Sequence, residues 1–179
     1  MKKFILACLF LQAGLFLSAQ DGNQFPNLPG ETLEGDNIEL PEDASGKVTI
    51  VGMAYSKKAE STLKSWYQPM YDKFVLKRGM FDQNYDVNLY FVPMFTGLKR
   101  AAFGASMNKL KKSHRKDLFP YILFYKGELD VYEEELNMTE KNQPYFFVLD
   151  ENGKIVYSTY GLYSQEKMAE IEKILDKRW

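Results

Sequence analysis

Short apolar, β-rich runs alternate with segments of helical period along most of this chain, and that alternation most restricts its fold. The runs are Val48–Ala54, Val87–Phe95 and Tyr121–Tyr125. Each is brief and dominated by branched or aromatic side chains, the composition of a strand buried on both faces. After the first run, Leu63, Trp66, Tyr67, Met70 and Phe74 recur at helical spacing, so one face of a helix is apolar. Ser56 stands where that helix begins, with a hydroxyl able to accept from N–H groups of the first turn. Pro69 removes a backbone donor inside it and predicts a kink, and Gly79 reads as its stop. Leu98–Lys112 reads as a basic amphipathic helix, and Glu128–Glu135 as a short acidic one.

The end of the chain is a hairpin followed by a helix. Tyr145–Leu149 and Lys154–Ser158 flank Asp150-Glu151-Asn152-Gly153, and an Asn-Gly pair between two apolar runs is a strong turn signal. Ser164 caps a last helix whose Met168, Ile171 and Leu175 face inward. Near the start, turn residues from Phe25-Pro26 to Ser45-Gly46 frame two short alternating segments, Thr32-Leu33 and Asn37–Leu40, which predict an exposed hairpin. Strands alternating with helices, then a closing hairpin and helix, predict an α/β sandwich on a mixed central sheet with an N-terminal β-hairpin. There is no internal repeat, low-complexity tract or second domain.

The first residues have another character. Lys2 and Lys3 precede an apolar run, Phe4–Leu17, and then Ser18-Ala19-Gln20. A positive start, a hydrophobic segment short for a bilayer span and a small residue at the break describe a secretory signal peptide. The expectation is a signal over residues 1–19 and a domain over 20–179, exported to the periplasm or cell envelope. Membrane attachment follows only if the segment stays uncleaved. Ile5-Leu6-Ala7-Cys8 has the outline of a lipoprotein box, but the apolar stretch before Cys8 is too short to engage first. Cys8 is the only cysteine, so losing the signal leaves no thiol for disulfides, nucleophilic attack or metal ligation. The single histidine, His114, cannot supply a copper or zinc site of the usual kind by itself, and no cofactor is implied. A formal charge of −1 gives no general attraction to nucleic acid.

Three segments carry a family resemblance. Phe25-Pro26-Asn27-Leu28 with Thr32-Leu33-Glu34-Gly35 is similar to the N-terminal hairpin of thioredoxin-like proteins of the TlpA-type and AhpC/TSA-related extracytoplasmic branch. Gly46-Lys47-Val48-Thr49-Ile50-Val51 resembles the central strand that delivers their active-site loop. Gln143-Pro144-Tyr145-Phe146-Phe147-Val148-Leu149-Asp150 through Val156 resembles their cis-proline strand and hairpin, the most specific match of the three. The resemblance implies a thioredoxin-like three-layer sandwich, and it places the redox motif at Ala54-Tyr55-Ser56-Lys57-Lys58-Ala59-Glu60. With Tyr55 as the motif's aromatic residue, Ser56 and Ala59 stand at the two cysteine positions. Redox chemistry needs a low-pKa thiolate at the first and a resolving thiol at the second. A serine hydroxyl stays protonated without a strong base, and alanine has nothing to resolve with. The peroxidatic cysteine of the peroxiredoxin variant is absent too. A serine triad would require His114, which lies in the polar stretch Lys112-Ser113-His114-Arg115-Lys116, so Ser56 reads as a helix cap.

The same resemblance implies a cis bond at Pro144 and a groove between Tyr55-Ser56 and Gln143-Pro144 that holds an extended peptide. The plainer alternative is that the proline bend only starts the closing hairpin. Phe25-Pro26-Asn27-Leu28, Lys64-Ser65-Trp66 and Tyr145–Asp150 are also similar to the mitochondrial ATP synthase assembly factor family, thioredoxin-like proteins that need no redox cysteines. The ATP synthase itself is not carried over, because the leader has a bacterial form. A basic run (Lys99, Arg100, Lys109, Lys111, Lys112, Arg115, Lys116) precedes an acidic one (Glu128, Asp130, Glu133–Glu135). Runs like these dock an anionic partner or neutralise each other across a solvated surface. The expectation is a redox-inactive exported protein that binds a peptide or protein partner in a chaperone or assembly role. The alternatives are a thiol-disulfide oxidoreductase or peroxiredoxin relative, and a structural subunit of an envelope complex.

Overall fold

A computed structural model of the protein describes residues 22–77, 85–113 and 115–178. The signal segment with Cys8, the helix stop at Gly79 and His114 lie outside the described residues. The three interior runs all become strands: β3 spans Thr49–Ala54, β4 Asn88–Thr96 and β5 Leu123–Gly127. They follow the N-terminal hairpin of β1 (Leu28–Thr32) and β2 (Asn37–Leu40), and precede the closing hairpin of β6 (Tyr145–Leu149) and β7 (Ile155–Tyr160). Four α-helices are described: α1 (Lys57–Met70), α2 (Phe103–Lys111), α3 (Asp130–Glu135) and α4 (Gln165–Asp176).

The strands form one seven-stranded mixed sheet in the order β2-β1-β5-β4-β3-β6-β7. β3 and β4 run parallel, as do β4 and β5, while β6 and then β7 add antiparallel. Alternation along each strand divides the interior into two layers. Ile50, Phe91, Phe146 and Val148 pack with Leu63, Trp66 and Met70 of α1 and Ile171 and Leu175 of α4. Val51, Met53, Val92, Leu123, Phe147 and Leu149 face the other way, against Tyr132 of α3, Leu136 and Met138. The hairpin expected to be exposed is instead partly internal. β1 joins β5, and Leu28 and Leu40 are fully buried in the second layer.

Three local expectations shift. The disturbance at Pro69 is a change of hydrogen bonding, since α1 ends at Met70 and a π-helical turn over Tyr71–Val75 follows. The basic helix starts late: Gly97–Ala102 is a 3-10 segment, and α2 proper begins at Phe103. Another 3-10 segment, Lys116–Tyr121, contains Pro120 and delays β5 to Leu123. Of the two charge runs, Arg100 pairs with Glu128 at 2.6 Å among the described residues, while Arg115 binds its neighbour Asp117.

Candidate functional site

The site is built where β3 ends and α1 begins. Ser56 has extended backbone, and its Oγ accepts from the N–H of Ala59 at 3.0 Å, so the hydroxyl satisfies a first-turn donor. That is the only hydrogen bond the Ser56 side chain makes among the described residues. Ala59 is fully buried and Ser56 nearly so. Tyr55 is also buried, and its phenol donates to the Met138 carbonyl at 2.6 Å. Burial, with smaller effects from Tyr145, Glu133 and Glu140, pushes that phenol up to about 12, so it stays a donor at neutral pH.

The register brings the second half of the expected site to this point. Met53 pairs with Tyr145, so Pro144 lies one residue further, beside the strand end that becomes Ser56. Tyr55, Ser56, Gln143 and Pro144 therefore meet along the edge formed by the strand ends, where β3 finishes and β6 begins. The bond itself does not match: Gln143–Pro144 is trans, and the cis peptide among the described residues is Leu40–Pro41. The chain reaches Pro144 through a tight turn closed by Gln143 N–H donating to Glu140 C=O at 3.0 Å. It enters β6 already extended, and the Pro144 carbonyl accepts from Gly161 N–H at 2.9 Å. A trans bond serves that path. The turn also commits the Gln143 N–H, a donor that a bound strand would otherwise use.

Lys99 completes the site, although its sequence context shows only a basic surface run. Its ammonium turns inward, 2.5 Å from Glu60 Oε1, 3.3 Å from the Met94 carbonyl and 3.4 Å from that of Tyr55. Three donors thus tie the end of β4, the motif loop and the first turn of α1 together. The i-to-i+39 separation of Glu60 and Lys99 leaves no local pattern to read.

This arrangement can hold a surface rigidly, but it places no base on the Ser56 hydroxyl among the described residues. Ser56 and Ala59 stand three residues apart at the start of α1, with Ser56 as its cap. A Ser56→Cys/Ala59→Cys double variant is accordingly expected to close an intramolecular disulfide under mild oxidant, because both positions sit on the first turn of one helix. Thiol alkylation before and after reduction reads the result. Two permanently free thiols at those positions would show that the spacing has drifted from the redox geometry.

Other features lie apart from this edge. A shallow depression of about 420 Å³, lined by Gln24, Phe25, Asn27, Pro41, Glu42, Ser45 and Asn152, sits at the opposite end of the strands. Among the described residues no three His, Cys, Asp or Glu side chains are grouped to hold a metal, and no helix is long and apolar enough to cross a membrane.

Comparison with solved structures identifies the fold as thioredoxin-like. A putative thiol:disulfide interchange protein DsbE from Chlorobium tepidum aligns over 87% of this chain and 96% of its own, with a TM-score of 0.56 and 18% identity. BsSco, a member of the Sco family of cytochrome c oxidase assembly proteins, aligns over 84% and 91%, with a TM-score of 0.60 and 12% identity. The pneumococcal exposed lipoprotein thioredoxin Etrx1 from Streptococcus pneumoniae aligns over 84% and 100%, with a TM-score of 0.55 and 16% identity. No curated protein matches the sequence. The sequence profile of one family, described as ATP10 protein, matches residues 9–177.

Proposed function

Because the chain belongs to the ATP10 protein family, we propose that it is an exported, redox-inactive thioredoxin-like protein that holds a polypeptide partner non-covalently in a chaperone or assembly role. One observation carries the reading. The positions that would bear the two thiols hold a hydroxyl committed to capping α1 and a buried methyl group. The fold around them keeps its edge, with β3, α1, β6 and the turn before Pro144 in place. Binding is the use left to such an edge once covalent capture is gone. An assembly role also agrees with the description of BsSco, whose family assembles cytochrome c oxidase. Export rests on the charged and apolar leader, and with it the loss of Cys8.

The test has two arms. Protein purified after expression of the full sequence should reduce insulin with dithiothreitol no faster than a buffer blank, and a clear excess over the blank overturns the redox-inactive part. A photo-crosslinking side chain at Gln143 should capture one recurring polypeptide in the producing cell. Capture no different from that at an exposed site on the far edge, such as Asn152, overturns partner binding at this edge.

A further inference from the structure

Five large apolar side chains are clearly exposed among the described residues, and four of them lie along the same row of strand ends. Leu98, Val131, Tyr160 and Leu162 follow the ends of β4, β5 and β7, where β3 also delivers α1. Only Leu76 lies elsewhere. Leu98 is 100% exposed, a position that adds nothing to the core. Its neighbour Lys99 is drawn inward to Glu60 and two carbonyls.

The Tyr160–Leu162 segment is held more firmly than an idle loop requires. Lys167 Nζ donates to the Tyr160 carbonyl at 2.6 Å and to the Leu162 carbonyl at 2.9 Å. Trp66 Nε1 donates to the Gly161 carbonyl at 2.9 Å, and Gly161 N–H donates to Pro144. Gly161 has φ +97°, a conformation other residues rarely adopt, and the following Tyr163 N–H binds Ser65 Oγ at 3.1 Å. With the backbone so restrained, two large side chains, 54% and 63% exposed, are presented in a set geometry. Pre-ordered apolar groups bind with little entropic cost.

Between these two apolar points lie Lys57 and Lys58, the first residues of α1. Both are exposed, and neither forms an ion pair among the described residues. Of the nearby carboxylates, Glu60 binds Lys99 and Glu128 binds Arg100, while Glu133 and Glu140 act on Tyr55 from the α3 side of the sheet, the layer opposite α1. We propose that this edge is a docking surface for an extended acidic segment of a partner polypeptide, with apolar side chains on Leu98 and on Tyr160–Leu162 and carboxylates over Lys57 and Lys58. β4 and β7 are three strand spacings apart in the sheet, roughly 14 Å, which an extended chain covers in about four or five residues. The fitting segment therefore has two apolar anchors separated by three or four residues rich in Asp and Glu, at roughly 3.3 Å per residue. The proposal rests on the polypeptide-binding reading and specifies the partner's chemistry. It uses side chains, since the Gln143 N–H is already engaged.

The experiment is selection of a random peptide library displayed on phage against immobilised protein expressed from the full sequence. Enriched peptides should carry two apolar or aromatic residues bracketing acidic ones. A synthesised winner should bind about ten-fold more weakly to Lys57→Glu/Lys58→Glu, and by a similar factor to Leu162→Ser or Leu98→Ser, with affinity falling as salt rises. These positions are on the surface, so circular dichroism should show an unchanged fold. Enriched peptides of basic or neutral composition overturn the proposal. Winners that bind the variants as well as the parent overturn this surface while leaving polypeptide binding standing, and no enrichment on any form overturns both.

Discussion

Replacing Trp66 with alanine is expected to lower the free energy of unfolding by about 3–5 kcal/mol, among the largest losses any single residue here can cause. The indole is completely buried, its ring centre 4.1 Å from that of Phe146 and 5.3 Å from that of Tyr163 in an edge-on arrangement. Truncation leaves a cavity between α1 and the sheet that these rings cannot close without leaving their own partners. It also removes the donor to the Gly161 carbonyl. Trp66→Phe separates the two effects. That variant keeps much of the packing but leaves the buried carbonyl unsatisfied, with an expected loss of about 1–3 kcal/mol. Urea denaturation of both variants measures the difference, and a loss below about 1 kcal/mol for Trp66→Ala would mean the core collapses around the gap. Limited proteolysis should also cut both variants faster near Leu162, because the loop has lost one of its restraints.

Gly52→Val is the second large effect, and it comes from overfilling. A Cβ added at Gly52 would stand 2.5 Å from Phe146 Cε1 and 2.8 Å from Cζ. Neither side can give way readily. Gly52 is in a strand hydrogen-bonded on both flanks, to β4 and β6, and the Phe146 ring is held against Trp66. The expected loss is about 3 kcal/mol, at the upper end of the overpacking range, and poor recovery of folded protein is the companion result. Adding Phe146→Leu should restore part of the loss, since the two sites share one contact and their effects do not add. Gly104→Ala is the control: it lies in α2 with nothing within 4 Å of the added carbon, and should stabilise slightly. If Gly52→Val unfolds at the parent's urea midpoint, the close approach is not a constraint.

Much of the candidate site is legible in the sequence. The run Val48–Ala54 and the apolar helix after it locate Ser56 as the cap of α1, and the family resemblance is what singles out Ala59 one turn further on. Local period and capping chemistry are short-range properties, so neighbouring residues suffice to reveal them. Lys99 is not legible in this way. Its role depends on Glu60, and a lysine within a basic run looks solvated unless a distant carboxylate is known to face it. Pro144 lies beside the motif loop, but with the trans isomer rather than the cis one the family resemblance implies. That bond follows from the path of the Glu140–Gln143 turn and the tie to Gly161, which composition does not record.

The alternation of strands and helices, the helix starts at Ser56 and Ser164, and the single cysteine at position 8 are all written in the residues themselves. They depend on periodicity, side-chain chemistry and composition, each carried within a short stretch of chain. The strand order that draws β1 into the sheet, the inward turn of Lys99 and the trans entry to β6 arise only when the chain is folded. The same holds for the restraint of the Tyr160–Leu162 loop. Its partners come from α1, the start of β6 and α4 at once, and only packing brings such distant residues within hydrogen-bond range.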